Sequence, residues 1–157
     1  MKKAIITLVS LIYSFNLSCQ TIKSDTVYLS LNSINHHWLY SEIKDQGILY
    51  PEIVFAQGVL ESGHFKSDLF RNNNNVFGMR QPKLRKTTAT GKRKGYAVYD
   101  NWIESVRDYK LWQESLPTKY KKTKKTYLRY IESTYCECRH YTFQVNNIIK
   151  RYRKHLN

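Results

Sequence analysis

Glu61 is the residue whose surroundings most invite a chemical role. It lies in the stretch Ala56-Gln57-Gly58-Val59-Leu60-Glu61-Ser62-Gly63. There Ile53, Ala56 and Leu60 form an apolar stripe that predicts a short helix stopped by Gly63. Pro51 suits the first turn, where a missing N–H costs nothing, and Glu52 complements the positive end of the dipole. Glu61 would then sit in the last turn, beside the negative end, in the least charged part of the chain. Both circumstances favour the protonated carboxyl, and an acid that stays protonated near neutral pH can act as a general acid. Without its flanks, a Glu near a helix end is ordinarily a solvated residue. Gln57 precedes it by four positions and shares its face.

Other chemistries find less support. Cys136 and Cys138 are one residue apart, a spacing that a relaxed disulfide does not fit, so both read as free thiols. No second Cys or His pair stands at zinc-finger spacing, and neither a metal nor a cofactor is expected. His36 and His37 are adjacent, point in different directions on a helix, and read as surface residues.

The chain around these residues has 157 positions, room for one domain. With 41% hydrophobic and 24% charged residues, 13 Tyr and 3 Trp, it can build a packed core and is not a disordered polymer. Lys and Arg outnumber Asp and Glu by 26 to 12, a net charge of +14 that calls for an anionic partner. Met1-Lys2-Lys3, the apolar run from Ala4 to Phe15, and the small residues around Ser18 read as a secretory signal peptide over residues 1–19. Residues 20–157 are then a single exported domain, placed in the periplasm or cell envelope, which argues against nucleic acid as the partner. Leu17-Ser18-Cys19 partly resembles a lipoprotein box, with Asn16 departing from it. Membrane contact is expected only if Cys19 is lipidated, and the protein is expected to be a monomer. Residues 1–19 hold two lysines and no acid, so the remainder carries +12.

Elements that must position Glu61 can be read from periodicity. Leu29, Leu31, Ile34, Trp38, Leu39 and Ile43 predict a helix ending near Gly47, ahead of the Glu61 helix. Four asparagines, Asn72 to Asn75, predict a tight irregular loop. Basic residues flanking Thr90-Gly91, followed by alternation in Tyr96-Ala97-Val98-Tyr99, predict a basic β-hairpin between Arg80 and Tyr99. Asp100 or Asn101 caps a helix running to about Ser115, with Glu104 placed for a capping box on Asn101. Pro117 breaks it, and the five lysines from Thr118 to Thr126 read as a solvated connection. A short helix to about Tyr135 and a last one through Tyr141, Val145, Ile148 and Tyr152 follow. The fold class is mainly α, five or so helices with one small β lobe.

Four segments in order give this pattern a family. Ala56-Gln57 with Leu60-Glu61-Ser62-Gly63 and Ser67 comes first, then Asn74-Asn75-Val76-Phe77-Gly78. Tyr96-Ala97-Val98-Tyr99-Asp100 with Glu104-Ser105-Val106 is third, and Tyr135 through Tyr141 is fourth. Together they resemble the bacterial glucosaminidase family, the peptidoglycan-cleaving domains of autolysins and flagellar muramidases, across about residues 35–153. The resemblance implies a lysozyme-like α+β fold with the hairpin lobe beside a catalytic cleft. It implies Glu61 and Tyr135 as catalytic residues, and Gln57, Asn75, Phe77 and Tyr99 as substrate-binding residues. It implies peptidoglycan glycan strands as the partner.

Departures from the family pattern matter for mechanism. Cys138 and Arg139 replace an Asp and a Pro of the family. Many members carry an acid in the β lobe, whereas no Asp or Glu occurs here from Leu69 through Tyr99. Asp68, Asp100 and Glu137 are the remaining candidates for a second carboxylate. The expected activity is hydrolysis of β-1,4 bonds in peptidoglycan as an N-acetylglucosaminidase, with muramidase cleavage as the nearest variant. A lytic transglycosylase using the same Glu, a non-catalytic envelope-binding module and a basic nucleic-acid binder are the rivals.

Overall fold

The computed structural model describes residues 34–135 and 140–155. The leader, Cys19, Cys136, Glu137 and Cys138 lie outside the described residues. In chain order the elements are α1 (His36–Asp45), α2 (Pro51–Glu61), α3 (Asp68–Asn73), β1 (Gly91–Arg93), β2 (Tyr96–Val98), α4 (Trp102–Ser115), α5 (Thr118–Lys121), α6 (Lys124–Tyr135) and α7 (Tyr141–Tyr152). A short 3-10 turn, Arg153–His155, follows α7.

α2 is the axis of the domain. Seven consecutive residues, Ile53 through Val59, are buried, because a helix apolar on every side must be covered on every side. α1 and α7 pack on it, and residues 76–77 close over it at Gly58. A Cβ on Gly58 would stand 3.0 Å from Phe77, 3.1 Å from Val76 and 3.2 Å from Leu39. A side chain there would have to push those neighbours back by a few tenths of an ångström, and glycine avoids that. Phe55, Val59, Phe77, Tyr109 and Tyr127 are fully buried in the same core, each worth roughly 1.5–3 kcal/mol of transfer free energy.

α4 starts where its cap dictates. Asn101 Oδ1 accepts from the N–H groups of Ile103 and Glu104 at 3.0 and 3.2 Å, satisfying two donors that the first turn leaves open. Asn101, and not Asp100, is therefore the cap, while the Glu104 carboxylate pairs with Arg107.

Several expectations change. Asn72 and Asn73 are the end of a six-residue helix, α3, rather than loop; Ser67 Oγ caps it by accepting from Phe70 N at 3.1 Å. Asn74 then turns the chain out with φ of 52°, a left-handed conformation asparagine tolerates. The predicted hairpin forms, and it turns at Lys94-Gly95, with φ of 51° and 84°. Left-handed backbone at both central residues is the geometry of a type I′ turn, which matches strand twist. β1 and β2 pair Gly91 with Val98, Lys92 with Ala97 and Arg93 with Tyr96. A further bridge joins Arg80 to Tyr96 on the other side of β2. The lysine-rich connection contains α5 and the first turn of α6. His36 is half-buried, stacked on Tyr152 with ring centroids 4.3 Å apart, so it is not a plain surface histidine.

Candidate active site

A cleft of about 490 Å³ opens beside the C-terminal end of α2. Glu61 lies in it, half-buried, in the last turn before the Ser62 cap and the Gly63 stop. Burial pushes its carboxyl above the usual range, and the Tyr141 hydroxyl, donating to Oε1 at 3.1 Å, opposes that rise. The net effect is an acid held protonated to higher pH, with one oriented oxygen and the other open. Gly78 is the floor on that open side: a Cβ there would lie 3.4 Å from Glu61 Oε2, and its φ is 64°. The loop thus passes the acid with no side chain in the way. Tyr135 and Trp112 line the same cleft, edge to face at 6.1 Å between centroids. Burial, then the Glu61 charge, raise the Tyr135 hydroxyl pKa.

The facing wall comes from residues 79–96 and carries the opposite sign. Arg80, Arg85 and Tyr96 line it. Arg85 reaches across to α4, where Asp108 is fully buried. Its Nη1 and Nη2 donate to Oδ1 and Oδ2 of Asp108 at 2.6 and 3.0 Å. The Tyr99 hydroxyl donates to Oδ2 at 2.7 Å. With both oxygens committed, Asp108 holds Arg85 in place and offers no free base. Among the described residues lining the cleft, Glu61 is the one carboxylate.

Of the residues named from sequence, Glu61 and Tyr135 meet in the cleft, and the other four lie behind its surface. Gln57, Asn75 and Phe77 are fully buried and Tyr99 nearly so, and each bonds to or packs on groups beneath the cleft. Gln113 Nε2 donates to the Tyr127 hydroxyl at 3.0 Å. That hydroxyl lies 2.6 Å from the Tyr109 hydroxyl, which donates to Gln57 Oε1 at 2.6 Å. An amide N–H can only donate and Gln57 Oε1 only accept, so every proton in this chain points toward α2. Tyr127 is pushed up to about 12, mainly by burial, and the chain stays neutral. Asn75 Nδ2 donates to the carbonyls of Met79 and Ala97 at 2.8 and 3.0 Å, and its Oδ1 accepts from Met79 N at 2.9 Å. One side chain thereby fastens the Gly78 loop to β2. Phe77 packs on Tyr109 at 4.3 Å.

Asp68 and Asp100 are exposed and outside this cleft; Asp68 lines a separate depression with Arg93 and Lys94. Tyr141 and Asp108 were not singled out as site residues from sequence. Tyr141 closes the fourth family segment, and that was its signal. Asp108 sits on a helix face whose burial only the packing reveals.

The family model for glucosaminidase, described as mannosyl-glycoprotein endo-β-N-acetylglucosaminidase, matches residues 37–154. Protein bax of Escherichia coli strain K12 is 45% identical over 62 residues, 40% of this chain and 23% of that protein. The chain therefore spans less than a quarter of that relative's length. The catalytic domain of the autolysin Auto from Listeria monocytogenes superposes with a TM-score of 0.58 at 22% identity, covering 85% of this chain and 94% of that one. A chain of a type VI secretion system effector–immunity complex from Pseudomonas protegens gives 0.57 at 18% identity, covering 81% and 97%. Both structures share the fold, mainly helical and lysozyme-like. With the acid, its helix and the loop that passes it all inside the matched span, the chain belongs to the glucosaminidase family and is an enzyme, a glycosidase.

Proposed function

We propose that this protein is exported and cleaves β-1,4 bonds in the glycan strands of bacterial peptidoglycan, with Glu61 as its general acid. The observation that carries the reading is the half-buried Glu61 in an open cleft, held toward its protonated form by burial. A glycosidic oxygen departs only when protonated, and a raised carboxyl supplies that proton near neutral pH. The cationic leader pattern and the excess of Lys and Arg favour an anionic wall as the place of work. Hydrolysis by an N-acetylglucosaminidase route is the primary assignment.

A second reading, lytic transglycosylation, is favoured by one feature: no second carboxylate among the described residues lines the cleft. A two-carboxylate mechanism needs a base or nucleophile across the scissile bond. With Glu61 alone, the charge developing on the sugar is met by its own 2-acetamido group, by a water near Tyr135, or by the sugar 6-hydroxyl. The last option defines the transglycosylase.

A peptidoglycan-loaded gel and mass spectrometry of the released muropeptides test both readings. Reducing-end GlcNAc is the expected product. Anhydro-muramyl ends would assign the transglycosylase, reducing-end MurNAc the muramidase variant, and an uncleared gel would remove the activity altogether.

A further inference from the structure

On the wall facing Glu61, two cations differ in what they have left to give. Arg85 is neutralised by Asp108 through both terminal nitrogens. Arg80 is not: among the described residues it has no carboxylate partner, and its guanidinium lies over the Tyr96 ring at 5.3 Å from the centroid. Backbone pairing with Tyr96 fixes where its side chain starts, and the aromatic face supports the planar group while leaving its fork of donors free. It is exposed at the cleft mouth. Gly78, beside the acid, precedes Arg80 by two residues, about 7 Å along extended chain. The wall therefore offers, at the cleft mouth, a cation with no carboxylate partner among the described residues.

Resting on the peptidoglycan-glycosidase reading, we infer that Arg80, lying over Tyr96, reads a carboxylate borne by the glycan beside the scissile bond. Such a contact selects an acidic amino sugar over a neutral polymer of N-acetylglucosamine. The carboxylate has two sources, the lactyl group of the sugar or the peptide stem it carries. Arg80 acts here as a specificity residue, separate from the proton transfer.

The test measures kcat/KM on three substrates: intact sacculi, amidase-stripped strands with free lactyl carboxylates, and the same stripped strands with those carboxylates converted to methylamides. For the unaltered protein, amidation is expected to cost about tenfold, the scale of one charge-assisted hydrogen bond. Arg80→Gln should cut both stripped substrates at one reduced rate, and Arg80→Lys should keep part of the preference, as a point charge without a fork. Circular dichroism and melting establish that both variants are folded. If amidation leaves the unaltered protein indifferent while Arg80→Gln loses rate on sacculi alone, the carboxylate belongs to the stem. Arg80→Gln keeping the unaltered protein's rates on all three substrates overturns the inference. If no substrate is cut by any variant, the glycosidase reading falls, and fluorescence anisotropy with labelled stripped and amidated strands still decides Arg80. A preference for the acid form that vanishes in Arg80→Gln sustains the inference; equal binding of both forms refutes it.

Discussion

The two walls of the cleft are built on opposite electrostatic plans. The helical wall is nearly uncharged: α2 brings Glu61 out of an apolar core, and Tyr141 of α7 meets it with a single hydroxyl. The wall of residues 79–96 carries guanidinium groups, with Asp108 of α4 fixing one of them from beneath. A carboxyl is kept protonated by lack of charge around it, whereas an anionic polymer is attracted by an excess of charge. Those demands conflict if one surface must meet both. Dividing them between walls lets the acid remain an acid inside a strongly basic protein.

The largest test of that division is Glu61→Gln. A rate loss of about 10²–10⁴-fold is expected, the range for general acid catalysis. The same change should raise the melting temperature at neutral pH. The folded acid has a raised pKa, so between the unfolded and folded values the native state binds more protons, and stability falls as pH rises. Removing the charge recovers that loss, and the gain should vanish below the unfolded carboxyl pKa of about 4. A variant that loses activity yet shows no pH-dependent gain would mean that Glu61 is not held in an unfavourable charged state.

Asp108→Asn tests the basic wall. It leaves Arg85 partly buried without its counter-charge and should cost about 3 kcal/mol of stability, the low end for a broken buried pair. In molecules that remain folded, KM should rise more than kcat falls. An equal loss in kcat would move Asp108 into the chemistry and blur the contrast between the walls.

Tyr141→Phe sharpens the helical side. Its hydroxyl favours ionised Glu61, and activity requires the protonated form, so it falls as pH rises through the Glu61 pKa. Without the hydroxyl that pKa rises further. The basic limb of the pH–rate profile should move up by roughly one unit, about what one hydrogen bond to a charged group is worth. A downward shift would give Tyr141 a different role.

The smallest effects belong to Asp68→Asn and Asp100→Asn, both exposed and away from the cleft. Each should keep most of its activity with an unchanged melting temperature. A loss at either that matched Glu61→Gln would establish a two-carboxylate mechanism and end the single-acid account.

Local chemistry made much of this legible in the sequence. Pro51 and Gly63 bound α2, Asn101 opens α4, and Pro117 closes it, because caps and breakers act within a turn of themselves. Glu61 could be found because its helix, its stop and the Asn74–Gly78 segment all lie near it in the chain. The hairpin's basic alternation was visible too, but its turn was set by Lys94-Gly95, a site that composition does not separate from Thr90-Gly91. α3 was hidden by its asparagines, whose turn preference describes only Asn74 and Asn75.

What the sequence by itself determined is the catalytic candidate, the family and the order of the longer helices and the hairpin. Each rests on residues close together or on a pattern of types. Tertiary structure alone decided which polar side chains reach the cleft. Gln57, Asn75, Phe77 and Tyr99 have the chemistry of binding residues, yet they are spent on Tyr109, Met79, the core and Asp108. Arg80 looks like one basic residue among many, yet among the described residues no carboxylate pairs with its guanidinium. The reason is physical. Most buried polar groups take their partner wherever the fold brings one, as Gln57 Oε1 meets the Tyr109 hydroxyl across 52 positions of chain. No local signal encodes which hydroxyl is consumed in that way and which cation remains free.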